Sequence, residues 1–480
     1  MSRLTEALQT ENTTTKNGME TNSSSLNECV NLFFSIGAMR GKSSESVVKL
    51  FSKAFSEEPT TALRILFWAR DVRGGAGERK IFRDILSYLV DNYSKVVKVN
   101  LNLIPEYGRW DDVHILFGTE LENDAITLLV EGLKSGNGLC AKWMPRKGLV
   151  FNKVRKALKL DPKSLRKLLV SLSNTVEQKM CSKSWAEIEY SKTPSLAMSR
   201  YTKAFGRNDQ ERFGQFIEAL QKGETKVNAG ALYPYDVTKN LRFGNKDLAN
   251  EQWKALPNYM EGSTELVLPL VDVSGSMDCS VGGNPNLTCM EVAISLGMYI
   301  SERNEGAFKD MFMTFSSNPE IQKLMGPLSD RYNQLARAKW GMSTNLEAAF
   351  KTILNQAVKF GVPQEEMPTK ILILSDMEFD SATSSGWGNE SDWNPSAMSM
   401  IDEMYTNAGY VKPGIIFWNL HSNGGNFPAR FDEVGTALIS GFSPSILKSV
   451  LNNPNSLTPV NIMNETVHSE RYEPVKVWIL

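Results

Sequence analysis

The sequence predicts a multidomain α + α/β protein: an N-terminal all-helical repeat region followed by a doubly wound, mostly parallel α/β domain. Three observations predict it. The chain has 480 residues, long for one compact domain and suited to two or three. From Leu26 to about Asn240, apolar residues recur at the i, i+3, i+4 spacing of amphipathic helices. From about residue 261, runs that are apolar on both faces alternate with helical stripes, as in a parallel sheet covered on each side.

Residues 1–25 predict a flexible polar tail, from the Gln, Thr, Asn, Ser and Gly of residues 9–25. The helical region is expected over 26–250. Val47, Val48, Phe51 and Phe55 share one helix face; Ala62, Leu63, Leu66 and Phe67 share a second; Phe82, Leu86, Leu89 and Val90 share a third. Short polar breaks between them suggest antiparallel helix pairs stacked as in a solenoid. Between the second and third stripes, the glycine-rich Arg70–Arg79 stretch lacks the Gly-Lys-Ser/Thr of a nucleotide-hydrolase phosphate loop. Its glycines allow a tight turn into a helix whose free N–H groups, with Arg70, Arg73 and Arg79, could hold a phosphate. Bracing of the turn by Asp71 and Glu78 through arginine pairs is the alternative.

Lys142, Trp143, Arg146 and Lys147 open a basic segment that continues through Lys153. An aromatic ring among cations suits stacking on bases and neutralising phosphates; a tryptophan anchoring a loop is the alternative. Residues 141–250 contain 22 Lys and Arg against 10 Asp and Glu, a balance of +12. Residues 261–480 contain 14 against 25, a balance of −11, within a chain whose net charge is −1. Such asymmetry predicts either a polyanion partner for the basic part or complementary faces within the chain.

Ala231 through Lys254 reads as a linker, and the second domain is expected over 261–455 with a C-terminal extension over 456–480. Strands are expected near 265–272, 308–315, 370–376, 413–419 and 435–440, with helices near 289–303, 328–338, 345–359, 394–406 and 443–452. The first strand runs into Asp272, Ser274 and Ser276. Ligands of such sheets bind outside the carboxyl ends of the strands. One carboxylate and two hydroxyls leaving one loop are hard oxygen ligands, which suits Mg²⁺. Capping of the next helix by Asp272 and Ser274 is the alternative. A second buried strand ends in Asp376, and Trp340 to Asn345 precedes a helical stripe.

Together these three segments resemble the metal-ion-dependent adhesion site of the von Willebrand factor A fold. The resemblance assigns Asp272, Ser274 and Ser276 to its first loop, Thr344 to its second and Asp376 to its third. It departs where Met377 follows Asp376 in place of the frequent glycine, and Glu378 and Asp380 add carboxylates that could compete for the ion. Over the whole chain, Arg70–Arg79, Lys142–Lys147, Thr193–Phe205, Leu232–Tyr235, Leu270–Met277, Trp340–Asn345, Leu374–Asp380, Ile415–Asn419 and Ala437–Phe442 resemble a poorly characterised family. That family joins a HEAT-like, TROVE-like helical region to a von Willebrand A domain, an architecture similar to the Ro autoantigen. The resemblance implies a scaffold that binds structured or single-stranded RNA. Its A domain, holding Mg²⁺ or another divalent cation, would recruit a protein ligand that donates a carboxylate to the metal.

Five scattered cysteines without a C-x-x-C, and three histidines, argue against a zinc site or a disulfide framework. The longest apolar runs are strand length and no secretory leader is evident, so no membrane role and a cytoplasmic setting are expected. No nucleophile–base pairing is visible in the sequence, so the expectation is a binding protein and not an enzyme.

Overall fold

A computed structural model describes residues 12–243, 245–282, 284–314, 319–338, 345–379, 397–422, 425–451 and 456–477. The chain divides into two compact units, one formed by residues 1–65 with 258–469 and the other by 66–257 with 470–480. A helical region thus precedes a six-stranded, mostly parallel sheet, as expected of an α + α/β chain.

The first unit carries the strands. β1 (Asn12–Thr14) and β2 (Glu20–Asn22) pair as a small antiparallel hairpin. β3 (Val267–Val271) is followed by a second hairpin of β4 (Ser280–Val281) and β5 (Asn284–Thr288). β6 (Met311–Thr314), β7 (Ile321–Lys323), β8 (Lys370–Ser375), β9 (Gly414–Asn419) and β10 (Thr436–Ser440) complete the set. The main sheet has the order β10-β9-β8-β3-β6-β7, parallel throughout except for the antiparallel edge strand β7. Counting only its own strands, the order from the other edge is third, second, first, fourth, fifth, sixth, the doubly wound arrangement. All residues of β3 and β10 are buried, which explains their continuous apolar character. The crossover through helix Cys289–Arg303 leads from β3 towards one edge, whereas that through Ala397–Ala408 leads from β8 towards the other. Right-handed crossovers in opposite directions place these helices on opposite faces of the sheet. The order therefore reverses between β3 and β8.

Two expectations need correction here. Residues 12–25 are not a loose polar tail. Thr15, Met19, Thr21 and Ser25 are buried. The Thr15 hydroxyl donates to the Phe379 carbonyl at 2.5 Å, and Asn17 Nδ2 donates to the Glu378 carbonyl at 2.7 Å. Side-chain and backbone hydrogen bonds, not apolar periodicity, hold this segment. The helical region of 26–250 is also divided, because residues up to 65 belong with the sheet. Helix Glu28–Ile36 packs on β10, with Asn419 Nδ2 donating to the Phe34 carbonyl at 3.3 Å.

In the second unit, the long helix Arg79–Val99 buries Ile81, Phe82, Ile85, Leu86, Leu89 and Val90, the face expected from its spacing, and kinks at Tyr93. A separate core gathers around Tyr190, whose ring lies 5.1 Å from both Phe205 and Phe213. Asp161 caps helix Pro162–Ser173 by accepting the Lys163 and Ser164 N–H groups, and Pro162 follows it without losing a helical hydrogen bond. Among the described residues no helix is long and apolar enough to cross a membrane.

Candidate metal centre

The parallel register pairs Val271 with Leu374, so β3 and β8 end side by side and bring Asp272 and Ser375-Asp376 to one edge of the sheet. The Asp272 N–H donates to the Leu374 carbonyl at 2.9 Å and fixes that alignment. Asp272 Oδ1 accepts the Ser274 N–H at 2.9 Å, and Oδ2 accepts the Ser375 hydroxyl at 2.6 Å. The Ser274 and Ser276 hydroxyls lie 3.0 Å apart. Asp376 Oδ1 accepts the Glu378 N–H at 3.3 Å, and the Ser276 hydroxyl bonds the same carboxyl. Two carboxylates and two hydroxyls thus meet where the strand order reverses. Ser274 makes no side-chain cap bond to the short turn Gly275–Asp278 that follows it, which disfavours the capping alternative.

Asp272 is fully buried and Asp376 is 5% exposed. Burial first, and then the charge of Asp272, push the Asp376 carboxyl up to about 6. Two carboxylates with two hydroxyls beside them are a donor set that fits a hard divalent cation. Met377 adopts φ = 66°, a left-handed conformation that glycine takes more readily than other residues. The turn is held by the Ser375 hydroxyl oxygen, which accepts the Met377 N–H at 3.0 Å, and by Asn426 Nδ2, which donates to its carbonyl at 2.5 Å. Glu378 turns away towards the N-terminal hairpin, where it accepts the Lys16 N–H at 2.9 Å. Thr344 and Asp380 lie outside the described residues.

A second group was not legible in the sequence. Cys279 leaves the Gly275–Asp278 turn, Cys289 opens helix Cys289–Arg303, and His421 lies two residues beyond β9. Their ligand atoms lie within 4.8 Å of one another, with the two sulfurs 3.2 Å apart. The Cys289 N–H donates to the Cys279 carbonyl at 3.1 Å and the His421 N–H to Asn419 Oδ1 at 3.0 Å, so the backbone fixes all three positions. The Cys289 hydrogen bond, with help from His421, draws the Cys279 thiol down to about 5, while the same contact and burial push the Cys289 thiol up. The expectation against a zinc site rested on the scattered cysteines; the fold brings two of them and a histidine into a group that could hold a metal. Cys279 and Cys289 are separated by ten positions and His421 is far along the chain, so no motif spacing announces them.

The residues expected to bind nucleic acid have varied fates. Arg70 is buried, with Nε 2.8 Å and a terminal nitrogen 2.7 Å from Asp112 Oδ2, and it cannot reach a phosphate. Arg146 is half-buried and donates to the Ala141 and Met144 carbonyls at 3.1 and 2.9 Å, closing the end of helix Gly138–Trp143. Trp143 lies under the Arg109 guanidinium at 3.7 Å, with Lys142 Nζ 5.5 Å from the same ring. Lys153 pairs with Glu122. Arg73 donates to the Glu106 carbonyl at 2.8 Å but stays exposed; Arg79, 3.8 Å from Asp111, and Lys147 are exposed as well. The glycine-rich turn is filled by the chain's own residues. Arg471 forms a two-pronged pair with Asp71, and the Tyr472 hydroxyl donates to Asp71 Oδ2 at 2.9 Å. A Cβ at Gly75 would overlap the Trp68 carbonyl oxygen, and one at Gly77 the Tyr233 hydroxyl.

Comparison with known proteins divides the chain differently from its compact units. Residues 267–476 match a domain of unknown function (DUF7788), and residues 15–114 and 148–266 match another domain of unknown function (DUF2828). The two matches meet at the first residue of β3. An uncharacterised protein, L728, of Acanthamoeba polyphaga mimivirus is 29% identical over 530 residues, covering 94% of this chain and 89% of that protein.

Proposed function

We propose that the α/β unit is a divalent-cation-dependent interaction module, in which Asp272, Ser274, Ser276 and Asp376 hold Mg²⁺. The observation that carries this reading is the convergence of two buried carboxylates and two hydroxyls at the reversal point of a doubly wound sheet. The resemblance to the von Willebrand A fold and its adhesion site supports it, and would add Thr344 to the ligands. Bound Mg²⁺ would supply an open coordination position for a carboxylate of a protein partner. The chain's own residues do the rest: Ser375 orients Asp272, the Asp272–Ser274 turn aims both hydroxyls, and the Met377 turn sets Asp376.

The test is calorimetric titration of the full chain with Mg²⁺ and Mn²⁺, followed by a carboxylate-bearing peptide in the presence of the metal. One ion per chain is expected to bind. Asp272→Asn is expected to abolish both metal and peptide binding while far-ultraviolet dichroism stays unchanged. Peptide binding that survives a chelator would rule the reading out.

RNA binding by the helical region, with the A-type domain recruiting a partner, is the second reading. The +12 balance of residues 141–250 and the exposure of Arg73, Arg79 and Lys147 favour it. The measurement for it is whether RNase-sensitive nucleic acid co-purifies at low salt.

A further inference from the structure

We propose that Cys279, Cys289 and His421 form a second, soft-metal site of the Zn²⁺ class, chemically distinct from the hard-oxygen site at Asp272 and Asp376. Two sulfurs and an imidazole nitrogen are ligands that Mg²⁺ does not favour and Zn²⁺ does. In a tetrahedral site with Zn–S near 2.3 Å and Zn–N near 2.0–2.1 Å, ligand atoms are separated by about 3.5–3.8 Å. The 3.2 Å separation of the sulfurs and the 4.8 Å limit on the whole group bracket that range, so small side-chain rotations are enough. Three protein ligands leave one position open, as in zinc sites that retain a water.

The placement gives the site a consequence. Cys279 lies three residues after Ser276, Cys289 starts the crossover helix from β3 to β6, and His421 follows β9. A single ion would tie the loop that bears Ser274 and Ser276 to two other segments of the same unit. The β4–β5 hairpin between the cysteines holds both sulfurs on one side, through the Ser280–Thr288 pair and the Cys289 N–H bond to Cys279. Neither ligand set shares a residue with the other, so this site stands whether or not the Mg²⁺ reading holds.

Co²⁺ replaces Zn²⁺ and reports its own ligands. The experiment uses the full chain purified anaerobically with reductant, with the exposed Cys181 changed to Ser so that no exposed thiol competes. With Mg²⁺ in excess to occupy the oxygen site, the thiolate-to-cobalt band in the near ultraviolet and the strong visible bands of tetrahedral Co²⁺ are expected to saturate at one equivalent. Zn²⁺ should bleach both, and a large excess of Mg²⁺ should not. His421→Ala, at a half-exposed position, should weaken the visible bands and lower the affinity; Cys279→Ser should remove most of the thiolate band. The buried Cys289 is left intact, so loss of signal does not reflect loss of fold, which dichroism checks directly. An octahedral spectrum without a thiolate band would overturn the site, as would a spectrum unchanged by both variants. So would failure to bind Co²⁺ by a chain that forms a Cys279–Cys289 disulfide on mild oxidation; that result would make the pair a redox couple.

Discussion

The carboxylate edge of the sheet and the arginine-rich turn of the helical unit both announce themselves in the sequence as sites, yet they fold into opposite electrostatic situations. At the sheet edge, Asp272 and Asp376 are buried beside each other and surrounded by hydroxyls and backbone N–H groups. At the turn, each aspartate is met by guanidinium groups: Asp71 by Arg471, Asp111 by Arg109 and Arg83, and Asp112 by Arg70 and Arg83. The first arrangement sets two buried carboxylates side by side among hydroxyl and backbone N–H donors. The second is internally compensated and acts as a frame for the glycine turn and for helix Arg79–Val99. Similar charged motifs in a sequence thus reach different surroundings, guanidinium groups at the turn and hydroxyl and N–H donors at the sheet edge.

The largest expected effect lies in the frame. Asp112→Ala leaves Arg70 buried without its partner, and breaking a buried pair in this way costs about 3–5 kcal/mol. The measurement is urea denaturation followed by a probe in the helical unit, or loss of amide protection along Arg79–Val99. A variant as stable as the parent would show that Arg70 is not compensated by Asp112 alone.

At the sheet edge the expected effect has the opposite sign. Asp376 carries a folded-state value of about 6, above its usual range near 3.8, so between about pH 4 and 6 the folded chain binds more protons at this group than the unfolded chain. Its contribution therefore favours folding fully at low pH and is lost as the pH rises through 6. In chelator at pH 7, Asp376→Asn should be more stable than the parent by up to about 3 kcal/mol, and the difference should close towards pH 4. Mg²⁺ should raise the melting temperature of the parent and leave that of the variant unmoved. A stability difference that does not change with pH would remove the buried-anion description of this edge.

The same contrast explains what could be read from the sequence. β3, β8, β9 and β10 were legible because burial on both faces makes each a continuous apolar run. β7 was not, since Ile321-Gln-Lys323 is a three-residue edge strand, largely exposed and held by backbone pairing to β6. The hairpin of residues 12–22 was hidden for the same reason: Thr15 and Asn17 are anchored by single hydrogen bonds to Glu378 and Phe379, more than 350 positions away. The Asp272 and Asp376 pair was legible because each ends a strand, and parallel neighbours end together. The compensation of Arg70 was not, since Asp112 lies 42 positions on and only the fold brings it under the guanidinium. Cys279, Cys289 and His421 escaped because their meeting depends on a hairpin, a helix start and a strand end at once.

The smallest expected effect separates the two kinds of basic residue within the helical unit. Lys153 is partly exposed and paired with Glu122, so Lys153→Ala should cost less than about 1 kcal/mol of stability. Lys147 is exposed at the N-cap of helix Gly148–Ala157 without a side-chain cap bond, and Lys147→Ala should change stability by no more than about 0.5 kcal/mol. Affinity for a structured RNA, measured across salt concentrations, then distinguishes surface from frame. If the exposed cations contact phosphate, the combined change of Arg73, Arg79 and Lys147 to Ala should lower the salt dependence by roughly one unit of slope per contact removed. Lys153→Ala, already neutralised by Glu122, should leave the slope nearly where it was. Equal losses from both variants would mean that the whole field of the basic segment binds RNA and that pairing with Glu122 does not shield Lys153. Absence of RNA binding at low salt in the parent would assign the positive balance to the chain's own charge pairing and leave the metal-dependent edge as the functional surface.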